Sequence, residues 1–381
     1  MDHAPRLGTG GRPLRLAYLG DPNSVHTRRW IGYFASHGHE VHLLVGSHDT
    51  VAEGLPAAVM VHRFRREGRP RLPVLASLDV RRRLRGLLTE IDADVLHAHF
   101  LSRYGWLGRV AGWHPYVVTL WGSDILITPW RSWRARIKGR LALVGADRIT
   151  VASGHIGDAA MRLGARPERI VRIHFGVDTD RFNPTRADPA VRGRLGLSGR
   201  IVFSPRALAP LYRHELVLEA VAPMAEDVKV LVGRRRADAA YLDRLRARAR
   251  ELGMTDRFVV LDDVADEDLP ALFAVADVVV SVPESDGLPL TVLEAMASAA
   301  PVVVSDLPGP RDPLLAHPRL IVPGGDAGAL TTALDWVLGL APAERDALGQ
   351  ALRAAVTGEY EYVRNMQAME QVYRALVPDL V

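Results

Sequence analysis

The chain is 381 residues long, 48% apolar and 24% charged, with a net charge of +4 and no cysteine. That length is more than one hydrophobic core comfortably serves, so two domains are expected, and the lack of cysteine excludes disulfides and thiolate metal sites. The charge is uneven: residues 1–187 hold 28 basic against 16 acidic side chains, a balance of +12, and residues 188–381 hold 20 against 28, a balance of −8.

Halves of opposite charge are expected to meet different partners. No apolar run reaches the roughly 18 residues of a membrane span. Arg6, Arg12 and Arg15 precede the first apolar stretch without the core of a signal peptide, so a cytoplasmic protein is expected.

Short apolar runs alternate with amphipathic stretches, the pattern of a parallel sheet flanked by helices. In the first half, strands are predicted at residues 14–19, 41–45, 59–61, 95–97, 116–120, 148–151 and 170–173, with helices such as 27–37 and 75–89 between them. Residues 176–199, with Pro184 and Pro189, read as a linker. The pattern then restarts, with strands predicted at 201–203, 228–232, 258–261, 278–281, 302–304 and 320–322. Two doubly wound α/β domains follow, residues 1–183 and 184–360, with ligands outside the carboxyl ends of the strands. Val363, Met366, Met369, Val372, Tyr373 and Leu376 fall near one helical face, so residues 361–381 are expected to form a helix that docks back on the first domain.

Residues 282–301 read V-P-E-S-D-G-L-P-L-T-V-L-E-A-M-A-S-A-A-P, a strand exit, a Gly/Pro turn and a helix predicted to start near Leu288. Free N–H groups at a helix N-terminus suit a phosphate. Asp286 before the turn and Glu294 eight residues later are placed to hydrogen-bond sugar hydroxyls on either side of a bound diphosphate; alternatively, Asp286 caps the helix.

The segment resembles the acid-x7-acid motif of retaining glycosyltransferases of the GT-B fold, family 4 or group 1. The resemblance implies two Rossmann-like domains with the active site in the cleft between them. It also implies that Asp286 contacts the donor sugar, that the amides of Gly287, Leu288 and Leu290 hold the phosphates, and that Glu294 binds the nucleotide ribose. Pro289 lacks an N–H, so one phosphate donor is missing, and Glu284 is a competing first acid with a longer spacing. Three further segments resemble the family: Gly176-Val177-Asp178-Thr179-Asp180-Arg181-Phe182 its interdomain signature, Asp94-Val95-Leu96-His97-Ala98-His99 its histidine-bearing strand, and Ser204-Pro205-Arg206-Ala207-Leu208 its phosphate-binding turn.

By that likeness Arg206 meets the donor phosphates and assists the leaving group. The family's following lysine is absent, and Arg213 either supplies the second charge or is a solvated helix residue. The run Arg234-Arg235-Arg236 faces the expected cleft or is simply exposed. Trp121 stands where relatives often carry a histidine, which leaves Asp124 as the polar candidate for orienting the acceptor hydroxyl, or as a helix cap. Of His97 and His99, only one is expected to face the cleft, and His99 is chosen as the catalytic candidate, with His97 a hydrogen-bonded core residue. Asn23, His26 and Trp121 are assigned to the acceptor side, with Arg29 nearby.

Nine arginines lie in residues 63–85, and residues 128–140 interleave Trp130 and Trp133 with Arg131, Arg134, Arg136, Lys138 and Arg140. Such segments are either solvated faces or a peripheral contact with an anionic membrane at its inner face; no nucleic-acid motif accompanies them. The expected reaction is metal-independent, cofactor-free retaining transfer from a UDP- or GDP-linked sugar to a saccharide, lipid-linked or small-molecule acceptor, in cell-envelope polysaccharide or glycoconjugate synthesis. The alternatives are a nucleotide-sugar epimerase of the same fold and a homologue that binds nucleotide-sugar without turnover.

Overall fold

The computed structural model describes residues 12–46, 49–51, 54–64, 73–233, 238–261 and 267–378. Arg6, four arginines of the first basic cluster (Arg65, Arg66, Arg69 and Arg71) and the run Arg234-Arg235-Arg236 lie outside them. The chain divides into two compact units, Met1–Phe175 with Arg364–Val381, and Gly176–Val363.

The first unit carries a parallel sheet of seven strands: β1 Arg15–Leu19, β2 Glu40–Gly46, β3 Val59–Phe64, β4 Val95–His99, β5 Tyr116–Leu120, β6 Arg148–Val151 and β7 Ile170–Arg172, in the order β3-β2-β1-β4-β5-β6-β7. Every residue of β4 and β5 is buried, as strands covered by helices on both faces must be. At the edge, β3 exposes Met60 and Val61. The second unit has six strands, β8 Arg200–Ser204, β9 Val228–Gly233, β10 Phe258–Leu261, β11 Val278–Ser281, β12 Val302–Ser305 and β13 Ile321–Val322, in the order β10-β9-β8-β11-β12-β13. All its pairs are parallel.

Both sheets start in the middle, run to one edge and return to the other side of the first strand. The order reverses between β1 and β4 and again between β8 and β11, and the crevice at such a switch point is where ligands of open α/β sheets bind. The loops there follow β1, β4, β8 and β11, and those after β8 and β11 hold Arg206, Arg213 and Asp286.

The C-terminal helix Tyr362–Leu376 buries Met366, Met369 and Tyr373, whereas Val363 is exposed. The Tyr373 hydroxyl sits among Tyr18 (2.9 Å), Trp30 Nε1 (3.3 Å) and His97 Nδ1 (2.5 Å), tying this helix to β1, β4 and the helix Val25–Ser36.

The linker reading of residues 176–199 needs correction. Pro184 and Pro189 each open a short helix, Pro184–Arg186 and Pro189–Arg194, with Asn183 and Asp188 as N-caps. Proline is favoured at a first helical position, where its missing N–H has no partner to lose. Phe182, Val191 and Leu197 are buried, so the segment is part of the second unit's core.

Candidate functional site

Arg206 follows the carboxyl end of β8, and its guanidinium is nearly buried. One arm donates to Asp286 Oδ2 at 2.5 Å and another to Thr291 Oγ1 at 3.0 Å, while the plane lies 4.4 Å over the Tyr212 ring. Asp286 comes from the loop after β11, so the two sides of the switch point meet through this pair. The Asp286 carboxylate also accepts from the Gly287 amide at 2.8 Å, shaping the turn rather than capping the helix.

The helix starts at Leu290, two residues later than expected, with Pro289 as its N-cap and no side-chain cap. Leu288 is buried outside the helix. The first-turn amides of Leu290 and Thr291 have no intrahelical acceptor, and Arg206 reaches the same turn through the Thr291 hydroxyl. Glu294 lies on the same helix with its side chain buried, one turn further in.

Arg213 has left-handed backbone (φ 50°) at the N-cap of the helix His214–Val221. It pairs with Glu284 through Nε at 3.1 Å and Nη2 at 2.7 Å, so the acid set aside on spacing is the one that holds it. Both partners are substantially exposed.

Sequence reasoning missed four residues that support this loop, the last of them Gly309. Thr291 and Tyr212 flank Arg206. The buried His214 pins the Arg206 turn: burial lowers its pKa to about 4, so the ring is neutral. Its Nε2 donates to the Ala207 carbonyl (3.1 Å), which leaves Nδ1 to accept from Ser204 Oγ (3.0 Å). Gly309 is the fourth. A methyl group there would overlap the Gly287 carbonyl oxygen. Gly309→Ala is therefore expected to displace the Asp286 loop and cost about 1–3 kcal/mol of stability, the range for overpacking. Thermal unfolding and calorimetric binding of a UDP-sugar check this; wild-type values in both would show that the loop yields freely.

In the first unit, β4 extends to His99, and the parity expectation fails. Residues two apart on a strand share a face. The His97 and His99 rings accordingly lie 4.7 Å apart, both buried beside Tyr18 and Trp30. His97 Nε2 contacts Thr119 Oγ1 at 2.6 Å, which with the Tyr373 contact occupies both its nitrogens. His99 Nδ1 lies 3.3 Å from Thr27 Oγ1, and its Nε2 has no hydrogen-bond partner among the described residues. Burial, reinforced by His26, lowers the His99 pKa to about 3, so it is a neutral imidazole at physiological pH.

Trp121 is almost buried, stacked on His26 (centroids 4.4 Å, planes 22° apart) and beside Phe175 and Trp30. Its indole Nε1 likewise has no partner among the described residues. Asn23 donates to the Thr50 carbonyl at 2.8 Å. Asp124 is buried and accepts from three backbone amides: Leu101 at 2.8 Å, Trp121 at 3.0 Å and Gly122 at 2.8 Å. Burial pushes its carboxyl up, against those amides, which favour the charged form. The carboxylate thus ties the loop after β5 to the start of the segment after β4. It does not cap its own helix, Ser123–Leu126.

A family model described as Glycosyl transferase 4-like matches residues 15–153, and one described as Glycosyl transferases group 1 matches residues 192–354. The chain is 30% identical over 272 residues to a D-inositol 3-phosphate glycosyltransferase of Mycobacterium sp. (strain JLS), covering 66% of this chain and 60% of that protein. It is 28% identical over 306 residues to the protein of the same name from Mycobacterium tuberculosis (strain ATCC 25177 / H37Ra), covering 74% of this chain and 62% of that one. The aligned regions thus span a little over half of these relatives' length.

Among solved structures, sucrose-phosphate synthase from Thermosynechococcus elongatus superposes with a TM-score of 0.80 at 19% identity, covering 96% of this chain and all of that one. Anabaena Alr3699/HepE in complex with UDP-glucose gives 0.75 at 18% identity, covering 95% and 99%. These likenesses establish the fold, two parallel-sheet α/β domains of the GT-B type.

Proposed function

The chain belongs to the group 1 glycosyltransferases, and from that premise we propose that it transfers a sugar, with retention, from a nucleoside-diphosphate sugar to an acceptor hydroxyl. The observation that carries this reading is Arg206, clasped by Asp286 and Thr291 at the start of an uncapped helix. Leaving-group charge develops on the diphosphate, and preorganised cations and amides aimed at it are the main source of catalysis in such a reaction. Arg206 supplies the cation and Leu288 and Leu290 the amides, joined by the Gly287 amide once it leaves Asp286, and neither a metal nor a cofactor is required. Asp286 addresses the donor sugar once phosphate competes for Arg206, and Glu294 holds the ribose. His99, Trp121 and His26 form the acceptor side, with Asp124 keeping their loops in place. The acceptor is a saccharide, a lipid-linked saccharide or a small molecule of envelope synthesis, met on the cytoplasmic side.

Incubation with UDP-, GDP- and ADP-sugars over an acceptor panel tests the reading. Acceptor-dependent nucleotide release with the product anomer unchanged supports it. Isomerised sugar without acceptor would mark an epimerase, and binding without turnover a non-catalytic homologue. Within that assay, Glu294→Gln is expected to weaken donor binding about 10-fold, the scale of one charged hydrogen bond. Asp286→Asn is expected to lower turnover with donor affinity nearly kept. If both variants retain wild-type affinity and rate, the two acids are structural.

A further inference from the structure

The helix Trp133–Gly145 buries Gly139, Ala142 and Leu143 against its own unit. At about 100° per residue, Trp133, Ile137, Leu141 and Val144 fall on the opposite side. A surface helix normally turns charge outward. Here the outermost stripe is apolar and open, with exposures of 68% for Trp133, 48% for Ile137, 40% for Leu141 and 45% for Val144. Trp130, in the turn just before, is 44% exposed and extends the stripe.

Arg134 and Lys138 occupy one shoulder of the stripe and Arg136 and Arg140 the other, with Arg131 at its head. No acidic residue occurs between Asp124 and Asp147. Among the described residues these five cations have no carboxylate partner; Arg136 instead lies 4.3 Å over Trp130, and Arg134 5.3 Å over Trp133. Beside the Arg134 and Lys138 shoulder lies a recess of about 260 Å³, edged by Ser102, Thr128 and Ser132 and reaching the buried Asp124, whose carboxylate is taken up by backbone amides.

We infer that this helix is a docking surface for an anionic lipid bilayer. The inference deepens the lipid-linked-acceptor reading but is argued from the helix's own residues. An apolar stripe with tryptophans, shouldered on both sides by cations, matches the layering of a bilayer interface: side chains enter the headgroup–acyl boundary while the shoulders meet phosphate. A second copy of the chain would bring five like charges against five, which opposes self-pairing on this face.

The test uses the full chain and vesicles alone, without sugar donor, so its failure leaves the transferase reading standing and the reverse also holds. Phosphatidylcholine vesicles with and without phosphatidylglycerol are compared by co-sedimentation and by quenching of tryptophan fluorescence with brominated acyl chains. Binding is expected only with the anionic lipid, and it should fade at high salt. Changing Arg131, Arg134 and Lys138 together to Gln should weaken it on the order of 10- to 100-fold. The pair Trp133→Ser with Ile137→Ser should weaken it comparably, and Trp133→Phe should remove most of the quenching. All these side chains are exposed, so an unchanged Tm verifies folding. No binding at low salt, or binding that neither variant set weakens, overturns the proposal. A wild-type dimer in sedimentation velocity that Trp133→Ser dissolves would also overturn it, by making the stripe a self-interface.

Discussion

Replacing Arg206 with alanine is expected to lower sugar transfer by about 10²–10³-fold, the scale for loss of one preorganised donor to developing charge. Three features make Arg206 the larger of the two arginine effects. It is nearly buried, it is braced by Asp286 and Thr291, and its plane rests on Tyr212. The low dielectric that burial brings strengthens each interaction with phosphate. Arg206→Lys should recover little, because an ammonium cannot reach two acceptors in the planar geometry that the guanidinium fills. Arg213→Ala should lose no more than about 5-fold, since an exposed pair of the Arg213–Glu284 kind is worth roughly 1 kcal/mol or less. Steady-state kinetics on the three variants decide the matter. Equal losses at Arg206 and Arg213 would mean that both touch phosphate in the bound state. No loss at Arg206 would remove it from the reaction. In a cycle with Asp286→Asn, the Arg206 effect should be non-additive, because each side chain holds the other.

The layout of the two sheets was legible because parallel strands buried on both faces leave continuous apolar runs, and seven- and six-stranded sheets leave many of them. The loop with Asp286 was legible for a different reason: its acids and its Gly/Pro turn lie within one short stretch of sequence. What remained hidden were partners brought from far along the chain. Thr291 and Gly309 carry no local signal of their roles, since the Arg206–Thr291 and Arg206–Asp286 bonds span 85 and 80 residues, whereas Tyr212 is near Arg206 in sequence and gives no sign there that its ring will lie under the guanidinium. The Arg213–Glu284 pair was hidden in the same way.

Two other misreadings were avoidable. His97 and His99 are two apart on β4, and the period of a strand puts them on one face. Pro184 and Pro189 each follow an Asn or Asp, the signature of a helix start rather than of a linker. The outward apolar stripe of Trp133–Gly145 was only half visible. Trp130 and Trp133 stood out among the arginines, whereas Ile137, Leu141 and Val144 look like an ordinary core face until burial shows which side Gly139, Ala142 and Leu143 occupy.

Asp124→Ala is expected to destabilise the first unit strongly. Its carboxylate accepts from the amides of Leu101, Trp121 and Gly122, all at 3.0 Å or less. Truncation leaves three buried donors without an acceptor, and each such group costs about 1–3 kcal/mol. Relief of the carboxylate's own burial, which raises its pKa, offsets part of that sum. A net loss of about 3 kcal/mol would lower the Tm by roughly 6–12 °C for a domain of this size. Gly122 has backbone angles far from those of ordinary residues (φ 148°, ψ −93°), so the loop has no low-energy way to turn its amides toward another partner.

Asp124→Asn separates holding the loop from acting on the acceptor. The amide oxygen still accepts two of the three bonds, while its NH₂ group faces a donor, so about half of the stability loss should remain. Activity should follow stability if Asp124 acts by holding Trp121 and the neighbouring loop in place. A variant with wild-type Tm and turnover reduced a hundredfold would instead put the carboxylate in contact with the acceptor hydroxyl. In that case the three amides must have another acceptor when substrate is bound, and hydrogen exchange at Leu101 and Gly122 with and without acceptor would reveal the change.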